Sequence, residues 1–312
     1  LWIEAGVHDA AQATAILLGW RDLLRQLAPE CLLLDACPLA IPAARALGIP
    51  TIGLGSGFMQ PPDGPPWPVF RDWQPVDASR IAEREGQILA WCGQAAGALD
   101  VDRVELAPDR SLLFTYAPFD HYPARAQARY LGPMTGGGQP PCWPAGRRRV
   151  LVYLQPRYPY LDALHAALAA RDDLAVLAYF GGSSCWARAE WLDVVAEPVD
   201  AAAALREADL VIGHGGTMAA QVAAAGVPQL LLPIHAETFL LARRLQQLGA
   251  ARMVAPPLEA AEFGRPLSAL LDEQAARVQA RQLAAGTTVL DDQARCARVL
   301  AECDALVSAA AV

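Results

Sequence analysis

The sequence contains no lysine and no asparagine, and all 25 of its basic residues are arginine. Without lysine there is no Schiff-base chemistry, no anchor for pyridoxal phosphate and no G-x-x-x-x-G-K-[ST] phosphate loop. The G-x-G-x-x-G fingerprint is missing too, which argues against a nicotinamide dehydrogenase. Cysteine is sparse. The seven present (Cys31, Cys37, Cys92, Cys142, Cys185, Cys296 and Cys303) are odd in number and form no C-x-x-C pair. None has metal-ligand spacing. They read as reduced, mostly buried thiols of a cytoplasmic protein. No apolar run approaches the ~20 residues of a transmembrane helix, and no signal peptide heads the chain. The net charge of −8 argues against a nucleic-acid groove.

What is present points to two globular domains. The chain has 312 residues, 54% of them hydrophobic, and a mean hydropathy of +0.21. That is ample for buried cores. It begins at Leu1 rather than Met and enters a helical pattern almost at once, so it reads as the remainder of a longer protein. Helical periodicity covers Ala10–Leu27, with Ile16, Trp20, Leu23 or Leu24, and Leu27 on one face. Cys31–Leu34 is an apolar strand ending at Asp35. A helix over Ala40–Leu47 stops at Gly48 and Pro50, and a strand follows over Thr51–Leu54. Ser56–Pro68 is too rich in proline and glycine for a helix. Ala78–Leu99 is a long helix with Ile81, Ile88, Leu89 and Cys92 inward, and Ser111–Tyr116 is a strand. Glycines and prolines in Met134–Gly146 suggest an interdomain linker. Beyond it come strands at Arg149–Leu154, Leu174–Phe180 and Leu192–Ala196, with helices at Tyr160–Ala170 and Ala201–Glu207. Two terminal helices span Pro266–Leu283 and Asp291–Val307.

The densest signal lies between Asp209 and Gly249. Leu210–Ile212 is short and apolar, as a buried parallel strand is. Gly213, Gly215 and Gly216 permit a sharp turn and a close approach. Thr217 is placed to cap an alanine-rich helix that Gly226 and Pro228 stop. Strand, glycine turn and helix together present free backbone N–H groups at a helix N-terminus, which suits an anion such as a diphosphate. His214, at the mouth, is placed to donate a further hydrogen bond. Asp35 ends its strand 13 residues before Gly48, as His214 precedes Gly226 by 12. Both therefore sit at strand C-termini, where parallel sheets bind ligands.

His214-Gly-Gly-Thr217, Gln221, Gly226-Val-Pro228, Leu230–Pro233 and Glu237-Thr238 together resemble the donor signature of family-1 glycosyltransferases. That group includes the UDP-glucuronosyltransferases and the macrolide glycosyltransferases. The resemblance implies a GT-B fold: two Rossmann-like α/β domains with parallel sheets, facing across a cleft. Residues 1–137 would form an acceptor-side domain lacking its first strands, and residues 147–312 a nucleotide-sugar domain. It also implies inverting, metal-independent transfer of a hexose from a UDP- or dTDP-sugar to a hydroxyl of a small, lipophilic acceptor. The nucleotide sugar is a co-substrate, and no cofactor or metal is expected.

By resemblance, His214, Gly215, Gly216 and Thr217 hold the diphosphate, and Gln221 stands where the family has an acid on the ribose. Glu237 and Thr238 replace the family's Asp-Gln sugar pair, and main-chain groups at Val199 face the base. Asp35 matches the aspartate that holds the family's catalytic histidine, and that histidine would lie before Leu1. The family's Gly-Ser after the first strand of this domain is replaced by Gln155-Pro156-Arg157. Asp100-Val-Asp102 spells a metal motif but follows a helix end, and reads as a solvated turn. Two other readings stay open: a non-catalytic nucleotide-sugar-binding subunit or inactive homologue, and a UDP-sugar epimerase of the same fold.

Overall fold

The computed structural model describes residues 7–35, 37–62, 67–69, 74–75, 77–102, 104–122, 128–255 and 259–310. Residues 63–66 of the expected Ser56–Pro68 loop lie outside them. The chain divides into two compact units, Leu1–Leu131 with Gln293–Val312, and Gly132–Asp292. Packing thus places residues 132–146 with the second unit and 293–312 with the first, whereas the sequence reading ran the second domain from 147 to 312.

The first unit carries a parallel sheet in the order β1-β2-β3-β4, made of Leu32–Asp35, Thr51–Gly55, Arg110–Leu113 and Ala128–Tyr130. Its helices are α1 (Ala10–Leu27), α2 (Ala40–Ala46) and α3 (Ala78–Leu99). The Asp9 side chain caps α1 by accepting the Gln12 N–H at 2.8 Å. The inward face of α1 is Ala13, Leu17 and Leu24. Leu23 and Leu27 face outward, Leu27 being 66% exposed. In α3 the buried residues are Cys92, Ala95, Ala96 and Leu99, while Leu89 is 48% exposed. Ile16, Trp20 and Ile88 pack against the core beside buried Leu24 and Cys92, so the expected faces hold except at Leu23, Leu27 and Leu89. Helix α3 ends on Asp100 in the left-handed conformation (φ 59°), so Asp100-Val-Asp102 is a helix-terminating turn.

The second unit is a six-stranded parallel sheet in the order β10-β9-β8-β5-β6-β7. Its strands are β5 (Arg148–Tyr153), β6 (Leu174–Tyr179), β7 (Leu192–Val195), β8 (Leu210–Gly213), β9 (Gln229–Leu231) and β10 (Ala251–Met253). The helices are α4 (Leu161–Ala169), α5 (Ala201–Glu207), α6 (Thr217–Ala224), α7 (Ala236–Gln247), α8 (Ala260–Asp272) and α9 (Gln274–Ala285). A final helix, α10 (Asp292–Ala310), counts with the first unit from Gln293 on. Its Arg295 is buried there and donates from Nε to the Leu131 carbonyl at 3.1 Å.

The strands read as unbroken apolar runs because both faces are covered. Val150, Val152 and Ile212 pack with Leu164 and Leu168 of α4 and with Phe263 and Leu267 of α8. Leu151, Leu177 and Val211 turn the other way, onto Leu205 of α5 and Val222 of α6. Each fully buried leucine or valine contributes roughly 1.5–3 kcal/mol. The chain leaves β5 towards β6 and β7, then crosses back to β8, β9 and β10. The order reverses between β5 and β8, and a doubly wound sheet opens its ligand crevice at that point, beyond the strand C-termini.

Candidate functional site

The crevice is present at that reversal. A cavity of about 640 Å³ is lined by the ends of β5, β6 and β8, the first turns of α6 and α7, Pro198–Val199 and Met134–Gly137. Among the described residues, its lining includes no Asp, Glu, Lys or Arg. Any charge bound there is met by backbone dipoles, hydroxyls, amides and imidazoles.

Strand β8 runs into the glycine turn. Gly215 has φ +89°, and a Cβ on it would lie 2.8 Å from the Thr238 carbonyl oxygen, so both conformation and the approach of α7 demand glycine. Gly216 differs. Its φ is −86°, and a Cβ there meets nothing within 4 Å. The protein's own packing gives no reason for glycine at 216, whereas a ligand lying against the backbone would. Gly216 is the N-cap of α6 and makes no side-chain cap bond. Thr217, the expected cap, is instead the first helical residue. Among the described residues, nothing accepts the N–H groups of Gly215, Gly216, Thr217 or Met218, and the first intrahelical turn closes at Ala219 N–H to Gly216 O, 2.9 Å. Four amides and roughly half a positive charge of helix dipole face the cavity.

His214 does not serve as expected. Its Nε2 accepts the Gln155 N–H at 2.9 Å, and its Nδ1 is 2.7 Å from the Leu232 carbonyl oxygen. A backbone N–H needs an acceptor and a carbonyl needs a donor, so the ring is neutral with its hydrogen on Nδ1. Both nitrogens are committed to the chain, and neither is available to donate to a diphosphate. His214 is a brace that ties the loops after β5 and β9 to the glycine turn. Burial depresses its pKa below that of an ordinary imidazole. The unfolded state therefore takes up a proton before the native state does. This contribution is complete above about pH 6.5 and drains away as pH falls below it. His214→Asn should flatten the acid limb of a denaturation-midpoint-versus-pH curve for the second unit, whereas an unchanged slope would remove this assignment.

The other expected residues divide. Gln221 lines the cavity, but one Nε2 hydrogen is bonded to the Met134 carbonyl, leaving its oxygen and one amide hydrogen. Thr238 is 4% exposed and belongs to a capping box, its hydroxyl accepting the Ile234 and His235 N–H groups at 3.1 and 3.2 Å. It stiffens the start of α7 and is not placed to hold a sugar. Glu237, one residue earlier, is not among the cavity-lining residues. Val199 lines the cavity, and its main chain is open. The bridge beside it uses Gln139 N–H to Pro198 O and Asp200 N–H to Gln139 O, both 2.8 Å. Alternation turns the N–H and C=O of Val199 the other way, and among the described residues neither has a partner. Asp35 ends β1 in the first unit, its carboxylate oxygen 2.9 Å from where a Cβ on Gly55 would stand. Among the described residues no group of three or more His, Cys, Asp or Glu is arranged to hold a metal.

Sequence reasoning missed the strap of Met134–Gly137. It falls within the expected interdomain linker Met134–Gly146. Gly138 is instead a contact glycine, since a Cβ would sit 2.4 Å from the Val199 carbonyl carbon. It also missed Tyr153 and Tyr179, in register at the ends of β5 and β6, with ring centroids 5.0 Å apart on the cavity wall. Gln229 under α6 gave no signal either. It is 1% exposed, donates to the Ala219 carbonyl at 3.0 Å, and its Oε1 has no partner among the described residues.

Neither a protein-family model nor a curated protein sequence matches the chain. Solved structures do. The spinosyn rhamnosyltransferase SpnG, complexed with thymidine diphosphate, superposes with a TM-score of 0.68 at 20% identity, over 93% of this chain and 78% of that one. The calicheamicin glycosyltransferase CalG4 gives 0.68 at 21% identity, over 95% and 78%. The glycosyltransferase VinC, in complex with dTDP, gives 0.66 at 18% identity, over 96% and 79%. The chain has their fold, the GT-B arrangement of two parallel-sheet α/β units.

Proposed function

We propose that this chain, built on the GT-B fold, binds a UDP- or dTDP-sugar and transfers its hexose to a hydroxyl of a small, lipophilic acceptor. The observation that carries the proposal is the set of four uncommitted amides at the start of α6, opening on a cavity at the sheet's reversal point. The open main chain of Val199 lies on the same cavity. From β8 to β7 is three strand spacings, roughly 14 Å, the span of a nucleoside diphosphate rather than of a bare phosphate. The diphosphate rests on Gly215, Gly216 and Thr217, the base meets Val199, and the Gln221 oxygen accepts from a ribose hydroxyl. Neighbours solved with thymidine diphosphate and dTDP support this placement by fold.

Transfer needs the leaving diphosphate stabilised as negative charge develops on it. Fixed amides in a site with no competing carboxylate do this without reorganising. The lack of a carboxylate on the cavity wall also supports a metal-independent reaction, because a divalent cation bridging a diphosphate needs oxygen ligands from the protein. The acceptor hydroxyl must lose its proton as it attacks. Asp35, at a strand C-terminus, is the residue proposed to orient the base for that step, and attack from the face opposite the diphosphate gives inversion.

The test is release of UDP or dTDP from donor sugars, with and without hydroxyl acceptors, in excess chelator. The proposal expects acceptor-dependent release that persists in chelator, and a fall in turnover without loss of nucleotide affinity for Asp35→Asn. A second reading has an observation behind it. Thr238 is spent on a helix cap and Glu237 lies off the cavity, so the positions that would hold the sugar do not reach it. A chain that binds nucleotide sugars without transferring them fits that. It would show saturable binding and no release with any acceptor.

A further inference from the structure

With His214 committed at both nitrogens, the side chain that meets the diphosphate must come from elsewhere, and this inference rests on the nucleotide-sugar reading above. The cavity wall offers few donors. The Thr135 hydroxyl is spent on Asp292 at 2.8 Å, one Gln221 amide hydrogen on Met134, and the Thr238 hydroxyl on the carbonyl of His235 at 2.9 Å. Among the described residues there is no arginine on the wall. The remaining side-chain donors are Gln155, Thr217, Tyr153, Tyr179, His235 and the second amide hydrogens of Gln221 and Gln229. Among the described residues no hydrogen bond holds the side chains of Gln155, Thr217, Tyr153 or Tyr179.

His235 is fixed. It is the N-cap of α7, with extended backbone (φ −151°, ψ 175°), and its Nδ1 accepts the Thr238 N–H at 3.5 Å. An Nδ1 that accepts leaves the neutral ring's hydrogen on Nε2. That nitrogen has no partner among the described residues, and the ring lines the cavity. The turn that carries it is pressed against the glycine loop, since the Thr238 carbonyl oxygen is the atom nearest the Gly215 Cβ position. The start of α7 therefore abuts the start of α6, where the four amides open.

We propose that His235, not His214, is the side chain that binds the diphosphate, its Nε2–H donating to an oxygen of the β-phosphate. The cap contact favours the tautomer that carries the hydrogen on Nε2. His214 positions the loop, and His235 makes the contact.

His235→Asn separates the two roles of this residue. Asparagine is among the best N-caps and can accept the Thr238 N–H through Oδ1, but it has no ring nitrogen. Calorimetric titration of the full chain with UDP and dTDP, and with UMP and dTMP, provides the comparison. The expected result is at least tenfold weaker diphosphate binding, monophosphate binding within twofold of the parent, and an unchanged melting temperature. His235→Ala should show the same loss with a lower melting temperature. Diphosphate affinity equal to the parent's would overturn the proposal, as would an equal loss for both ligand classes, which assigns the effect to the cap. If the parent binds none of the four nucleotides, the nucleotide-sugar reading itself falls and takes this one with it. Parent binding with an indifferent asparagine variant removes only the role of His235.

Discussion

Gly216→Asp is expected to leave the protein as stable as the parent, or more so, while weakening UDP and dTDP binding at least a hundredfold. The two effects have one cause. Gly216 is the N-cap of α6, its backbone is in a region open to any residue (φ −86°), and a new Cβ meets nothing within 4 Å. Aspartate is a better cap than glycine and complements the helix dipole, a gain of about 0.5 kcal/mol. Its carboxylate, however, accepts the same amides that a diphosphate would and places a negative charge where another must sit. A hundredfold loss is about 2.7 kcal/mol. The neighbouring glycine provides the contrast. Gly215→Ala meets φ +89° and a backbone oxygen at 2.8 Å, so it should lower stability by about 1–3 kcal/mol. Thermal melts and calorimetric titrations of both variants decide the matter. Parent-like nucleotide affinity in a folded Gly216→Asp protein would show that the amides bind nothing.

Gly138→Ala is expected to reduce nucleotide affinity at least tenfold while leaving inorganic pyrophosphate affinity within twofold. Gly138 shows no positive φ, so the cost is contact alone. A Cβ would stand 2.4 Å from Val199 C, 2.5 Å from Asp200 N and 2.6 Å from Pro198 O. These are backbone atoms of a segment continuous with α5, and they cannot give. The strap must lift and forfeit the two 2.8 Å bonds that Gln139 makes to Pro198 and Asp200, about 0.5–1.5 kcal/mol each. Val199 then loses the support that holds its open main chain on the cavity. The amides of α6 belong to another loop and keep their place. Selective loss of the nucleoside contribution is therefore the signature. Equal losses for nucleotide and pyrophosphate would mean that the strap shapes the whole cavity rather than its base end.

Much of the architecture could be read from the chain because parallel strands buried on both faces appear as plain apolar runs. Leu174–Tyr179 and Leu210–Gly213 are such runs, and Gly48, Gly226 and Gly249 each follow a helix shortly before the next strand. The three-residue strands β4 and β10 have no such run and were missed. The expected helix at Pro266–Leu283 is two helices, because Glu273 between them is extended (φ −84°, ψ 122°). Gly215, Gly216 and Val199, expected from local pattern, all line the cavity. Side-chain partners far apart in the chain leave no such local signal. His214 is held by Gln155 and Leu232, which lie 59 and 18 residues away in sequence, and no local pattern encodes that. Thr217, expected as a cap, is the first residue of α6, and the Thr238 hydroxyl is engaged in the capping box at the start of α7. Gly138, in the expected linker, permits a close approach to Val199.

The central claim is that a diphosphate docks on the amides that open α6. Titration of the ¹⁵N-labelled protein with dTDP and with UDP, followed at the amide resonances of Gly215, Gly216, Thr217 and Met218, tests it most directly. The account predicts saturable shifts at these four amides, reproduced by pyrophosphate alone, with Val199 shifting only for the nucleotides. Saturable nucleotide binding that leaves all four amides unmoved would contradict it.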